Sequence, residues 1–166
     1  MSTPAQTTRT TPARGARSLL SLIPFVLIVV AVAAVGALAS SNAQEVYSRL
    51  DLPFFAPPSW LFGPAWAVFY TLIAVAGWLV YRARGFSFPL SLWAVQMVLN
   101  ALWTPLFFGA QLYWLAFADI SLLWVAVVWC VVVFWKVRRA AAVLMLPYLA
   151  WVTFAAALNL GIALMN

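Results

Sequence analysis

The sequence predicts an all-α fold, an integral membrane bundle of five transmembrane helices, on three observations. Of the 166 residues, 67% are hydrophobic and 7% are charged, against about 45–50% and about 25% in soluble domains. The charges leave long uncharged stretches at 18–44, 52–81, 85–118, 120–135 and 140–166. The cations also segregate as membrane topology demands. With five spans, Arg9, Arg14, Arg17, Arg82, Arg84, Lys136, Arg138 and Arg139 share the side of the N-terminus, and Arg49 stands alone opposite, beside Glu45 and Asp51. That asymmetry places the N-terminus in the cytoplasm. It also explains the net charge of +6 without nucleic acid as a partner.

Residues 1–18 are rich in Thr, Pro, Ala and Arg and contain no acid, so they read as a disordered basic arm ahead of a membrane domain at 19–166. A spanning helix needs about 20 apolar residues, which fits spans at about 19–40, 60–81, 88–108, 112–135 and 141–164. The first is longer than the ~7–15-residue core of a secretory signal, so it reads as a span in spite of the Ala37-Leu38-Ala39 cleavage-like site. Pro24, Pro64, Pro105 and Pro147 lie in or beside the spans, where either kinks open a cavity or proline is simply commoner, as it is in membrane helices. The longest connection, 41–59, ends in paired prolines before Trp60 and reads as a lid over the non-cytoplasmic mouth.

The rare residues exclude most catalytic chemistry. The chain has no His, one Cys (Cys130), one Lys (Lys136) and three acids, Glu45, Asp51 and Asp119. No imidazole triad can form, and one thiol with three scattered carboxylates does not make a metal site. Neither catalytic nor metal-ligating residues are therefore assigned. Asp119 is the one acid inside a span, so it is either hydrogen-bonded to a neighbouring helix or part of a proton relay.

The third span carries Trp93, Gln96, Asn100, Trp103 and Phe107, whose alternating steps of three and four set them on one stripe. Amides in hydrocarbon need partners, so this stripe faces the interior, either bonding helices together or lining a pocket. Tyr148, Trp151, Ala155, Leu158 and Asn159 form a similar face on the fifth span. Phe62, Trp66, Phe69 and Ile73 do so on the second, with Tyr70 beside them. Trp60, Trp78, Trp114 and Trp135 lie at span ends, where indoles favour the interface. Trp66, Trp103 and Trp151 lie deeper, and flat rings facing one another suit a flat aromatic ligand.

Three blocks carry a resemblance: PPSWLFGPAWAVFY at 57–70, WAVQMVLNALWTPLFFGA at 93–110 and PYLAWVTFAAALN at 147–159. In order and spacing they resemble the TspO/MBR family, the tryptophan-rich sensory proteins of bacteria and the mitochondrial translocator or peripheral-type benzodiazepine receptor. The resemblance implies five transmembrane helices, a homodimer, and a pocket open toward the first long loop. Its ligands are tetrapyrroles such as protoporphyrin IX and haem, besides isoquinoline and benzodiazepine drugs. No cofactor is obligatory. The family's pocket tryptophans correspond to Trp66, Trp103 and Trp151 and its amide to Asn100. Tyr47 matches the loop tyrosine that looks into the cavity, and Ala155 and Leu158 match wall positions of the last helix. Phe69, Phe107 and Tyr148, on the same faces, complete the expected ligand-binding set.

Without His, haem would lack its commonest axial ligand, so recognition of the ring rather than the iron is expected. The cholesterol motif of animal members is missing, with Leu160 in the place of its tyrosine, so high-affinity sterol binding there is not expected. A loose match recurs at 79–84, a pattern of hypothesis grade only. The resemblance implies a receptor or carrier that senses stress or regulates porphyrin transport and metabolism. An all-helical apolar bundle argues for the inner membrane of a bacterial cell, although some bacterial family members lie in the outer one. Light- and oxygen-dependent porphyrin degradation, with the indoles as electron donors, is the enzymatic alternative. Proton-coupled transport through Asp119 is another.

Overall fold

The computed structural model describes residues 19–166; the basic arm expected at 1–18 lies outside the described residues. Six helices follow in order: α1 (Ile23–Ala39), a short α2 (Ala43–Arg49), α3 (Phe62–Arg84), α4 (Phe88–Thr104), α5 (Tyr113–Val137) and α6 (Arg139–Met165). A 3₁₀ turn, Ser59–Leu61, leads into α3, and a π turn, Pro105–Gly109, ends α4. Among the described residues four helices are long and apolar enough to cross a bilayer, or five where α1 and α2, bent by 54° from it, count as one span. The chain is a multi-pass membrane protein.

The prolines depart from expectation. Pro24 and Pro64 fall in the first turns of α1 and α3, where no intrahelical acceptor awaits their missing N–H, so they begin helices rather than kink them. Pro147 sits inside an unbroken α6. Pro105 alone changes the path. There α4 widens into the π turn, closed by the Ala110 N–H donating to the Pro105 carbonyl at 2.8 Å. The span expected to run to 108 therefore ends its regular helix at Thr104. Such widened turns are frequent at functional sites, and this one turns Phe107 and Phe108 inward.

The helices form a closed ring in the order α1, α3, α6, α5, α4. Lipid is as apolar as leucine, so close packing rather than the hydrophobic effect must hold helices together. The α5–α6 pair shows how. On α5 the buried positions include Ala116, Ile120, Leu123, Val127, Cys130 and Phe134, with Asp119 and Ala126 beside them. On α6 they include Ala141, Met145, Tyr148, Val152, Ala155, Asn159 and Ile162. Both runs alternate steps of four and three, the 3.5-residue period of two helices packed side by side along their length.

Short connections make successive spans antiparallel, so Arg82, Arg84, Lys136, Arg138 and Arg139 gather at one end of the bundle. At the other, the 50–58 connection is fastened to the end of α6. The Asp51 N–H donates to Asn166 Oδ1 at 3.1 Å, and Asn166 Nδ2 donates back to the Asp51 carbonyl at 3.1 Å. Pro53 lies against Gly161, where an added Cβ would stand 3.0 Å from the proline Cγ. Phe55 rests edge-on against Phe154. The expected lid packs against α6, with Asp51, Phe54, Phe55 and Pro58 on its exposed side and Phe54 wholly exposed.

Candidate functional site

A cavity of about 400 Å³ opens between α1, α3 and α4 at the covered end of the bundle. The wall from α1 is made of small residues, Ala33, Gly36, Ala37 and Ser40, and the opposite wall is aromatic, with Phe62, Trp66, Tyr70, Trp103 and Phe108. Tyr47 reaches in from α2 and is held there by donating its phenol proton to the Pro57 carbonyl at 3.0 Å. Volume and composition match those of small-molecule sites, about 300–1,000 Å³ and mostly apolar. No charged side chain lines it among the described residues.

Most of the polar groups in this region are already committed. The Trp103 indole N–H donates to Asn159 Oδ1 at 3.0 Å, and Asn159 Nδ2 donates to the Tyr113 carbonyl at 2.9 Å. Trp103 therefore offers its ring face, which stacks on Phe107 at 5.1 Å. The Tyr70 hydroxyl donates to Asn100 Oδ1 at 3.0 Å, and Asn100 Nδ2 donates to the Tyr148 hydroxyl oxygen at 2.8 Å. The Trp66 indole, stacked on Tyr70 at 5.1 Å, is different. It lines the cavity, and its N–H makes no hydrogen bond among the described residues. An unsatisfied donor beside an apolar cavity is a ready handle for a ligand acceptor.

The structure divides the expected ligand-binding set. Tyr47, Trp66 and Trp103 line the open cavity. Asn100, Trp151 and Ala155 border one small space of about 10 Å³. Phe107 and Leu158, again with Ala155, border a second of about 10 Å³. Phe69 and Tyr148 border none of the three; they pack on each other at 6.2 Å, and Tyr148 is fully buried. The residue dividing these spaces is Phe62, which lines all three as Trp103 does. Its ring stands edge-on between Tyr47, at 5.8 Å, and Trp151, at 5.9 Å.

Sequence reasoning placed Phe62 on the right stripe but left it out of the site. It also missed the α1 wall and Phe108. Small residues carry no chemistry to signal a cavity, and Phe108 is turned inward only by the π turn. Trp93, on the same stripe as Trp103, belongs elsewhere: its N–H donates to the Ile73 carbonyl at 2.9 Å, far along α4 from the cavity. Trp78 is no free interface anchor either, since its N–H donates to Ser21 Oγ at 3.0 Å.

Two polar groups lack the partner on a neighbouring helix that one of the two readings gave them. Neither amide atom of Gln96, which is fully buried, has a partner among the described residues, and neither does Asp119 Oδ2. An unmet buried amide costs about 1–3 kcal/mol. Gln96→Leu, nearly the same volume, is therefore expected to stabilise the protein by about 1–2 kcal/mol, read as a higher melting temperature in detergent. An unchanged or lower value would show that the amide is satisfied.

The comparisons with known proteins agree with this architecture. The TspO/MBR family model matches residues 25–165. The tryptophan-rich protein TspO of Archaeoglobus fulgidus is 39% identical over 130 residues, 76% of this chain and 84% of that protein. Protein CrtK of Rhodobacter capsulatus is 36% identical over 127 residues, 72% and 78% of the two chains. The human translocator protein is 36% identical over 118 residues, 68% and 70%. The matched region takes in the helix ring, the fastened loop and the aromatic cavity, and the chain belongs to the TspO/MBR family.

Proposed function

We propose that this protein is a membrane receptor or carrier for tetrapyrroles, and that the cavity between α1, α3 and α4 is where they bind. The observation that carries this reading is the pairing of an uncommitted Trp66 N–H with flat rings around a cavity of about 400 Å³. A planar macrocycle stacks on indole faces, its ring nitrogens or carboxylates accept from the indole N–H, and Ser59 offers a hydroxyl, that of Ser40 being already bonded to the Gly36 carbonyl at 2.7 Å. A large ring would also require Phe62 to swing aside, which would bring Asn100, Trp151, Ala155, Phe107 and Leu158 to the ligand. Phe69 and Tyr148 then support the pocket from behind. The chain acts as a homodimer in the inner membrane of a bacterial cell, with its N-terminus cytoplasmic.

The test is quenching of tryptophan fluorescence by protoporphyrin IX in the dark. Wild type should quench saturably at micromolar ligand. An aromatic pair contributes about 0.5–1.5 kcal/mol beyond its area, so Trp66→Leu and Trp103→Leu should each weaken binding about two- to tenfold. Linear quenching, or quenching that neither change weakens, would mean that the porphyrin only partitions into the micelle.

The unpartnered Asp119 Oδ2 supports a second reading, proton-coupled passage of a small molecule. Uptake that requires a pH gradient and is lost in Asp119→Asn would establish it. Uptake indifferent to both would remove it.

A further inference from the structure

A second and larger hollow lies at the opposite end of the bundle. It is a groove of about 710 Å³ between α1, the end of α3 and the start of α4, walled by Pro24, Phe25, Ile28, Leu90, Trp93 and Ala94. It shares no lining residue with the aromatic cavity. The wall is apolar, and hydroxyl-bearing residues, Ser21, Tyr81, Ser87 and Ser91, also border it. Beside it stands a fixed cation. The Ser21 hydroxyl accepts from the Trp78 indole N–H at 3.0 Å, and the Arg82 guanidinium carbon lies 5.0 Å from the Trp78 ring centroid. Arg82 is thus held one indole's breadth from the groove, with Arg84 in the same last turn of α3.

These cations have no acid to pair with. The chain has three acids, and none is at this end: Glu45 and Asp51 flank α2, and Asp119 sits near the start of α5, beside the other mouth. Glu45 is already paired with Arg49. The arm at 1–18 contains no acid and little apolar surface to fill such a groove. The counter-charge must come from outside the chain, at the level where a bilayer presents its headgroups. An apolar trough beside unpaired guanidiniums complements an acyl chain under an anionic headgroup.

We infer that this groove binds an anionic phospholipid, its acyl chain lying along Phe25, Ile28 and Leu90 and its phosphate drawn to Arg82 and Arg84. The site is separate from the aromatic cavity and does not depend on what that cavity binds.

Native mass spectrometry of the full chain in detergent tests the inference, with dioleoyl phosphatidylglycerol and phosphatidylcholine as probes. One phosphatidylglycerol should be retained in preference to phosphatidylcholine. A cation near anionic headgroups is worth about fivefold in affinity, so Arg82→Gln with Arg84→Gln should erase most of that preference while leaving neutral lipid unaffected. Ala94→Trp, which fills the groove from an exposed wall position, should abolish retention of both lipids, with monodispersity on gel filtration confirming that it folds. Glycerol phosphate and inorganic phosphate should not compete. Equal retention of the two lipids, preference surviving the arginine changes, retention surviving Ala94→Trp, or displacement by free phosphate would each overturn the assignment.

Discussion

Asn100→Ala should lower the melting temperature by about 5–10 °C, because it unpairs two tyrosines at once. Asn100 accepts from Tyr70 and donates to Tyr148, joining α3, α4 and α6 through one side chain. Interhelical hydrogen bonds in membranes average about 0.6 kcal/mol and reach about 1.7, less than a bond lost in a dry soluble core. The cavity left by the amide adds about 1 kcal/mol. Two bonds and a cavity together give about 2–4 kcal/mol, or about 2–4 °C per kcal/mol for a chain of this size. Tyr148→Phe removes one bond and should cost less. The double variant should cost clearly less than the sum of the singles, since both remove the same contact. Additive losses would show that the three residues do not act as one network.

Gly77→Ala is expected to be at least as damaging, through sterics alone. A Cβ on Gly77 would stand 2.6 Å from Cε2 and Nε1 of Trp93 and 3.0 Å from Cδ1 of Phe25. Trp93 cannot retreat freely: its N–H is bonded to the Ile73 carbonyl and Phe25 packs edge-on at 5.3 Å. Overpacking costs about 1–3 kcal/mol, and displacing the indole forfeits its hydrogen bond as well, for a total of about 2–4 kcal/mol. Replacing Trp93 by Leu in the same variant should recover part of the loss. Gly63→Ala is the control, because a Cβ there meets nothing within 4 Å and helix propensity favours alanine. Thermal unfolding of the three variants and the wild type in one detergent checks the set. Equal stability of the two alanine variants would contradict the close fit at Gly77.

The membrane class and the succession of spans were legible because bilayer physics leaves few alternatives, whereas the order of the helices around the ring was not. Long uncharged runs can only be spans, and the segregated cations order them. The stripe on α4 correctly named an inward face. Spacing fixes a face but not a depth or a partner, so Trp93 and Trp103 looked equivalent although one seals the helices at Gly77 and the other faces the cavity. The α1 wall could not be read from Ala33, Gly36 and Ala37, since such residues equally suit helix packing. Tyr47 is inward because the Pro57 carbonyl holds its hydroxyl, a contact ten residues away across a loop. Neither composition nor periodicity encodes it, and the family resemblance alone pointed there. Phe62 was on the page as a stripe residue, but its place between three spaces depends on its rotamer.

The most direct test of the aromatic cavity as the tetrapyrrole site is protection of a single introduced thiol. Cys130 is fully buried, so Ala37→Cys on the α1 wall supplies the reactive sulfur. The rate of its alkylation by a membrane-permeant maleimide is followed in the dark as protoporphyrin IX is added. The cavity site predicts alkylation slowed at least tenfold, half-maximally at the concentration that half-quenches the tryptophans. An undiminished alkylation rate at saturating quenching would place the porphyrin elsewhere and contradict the assignment.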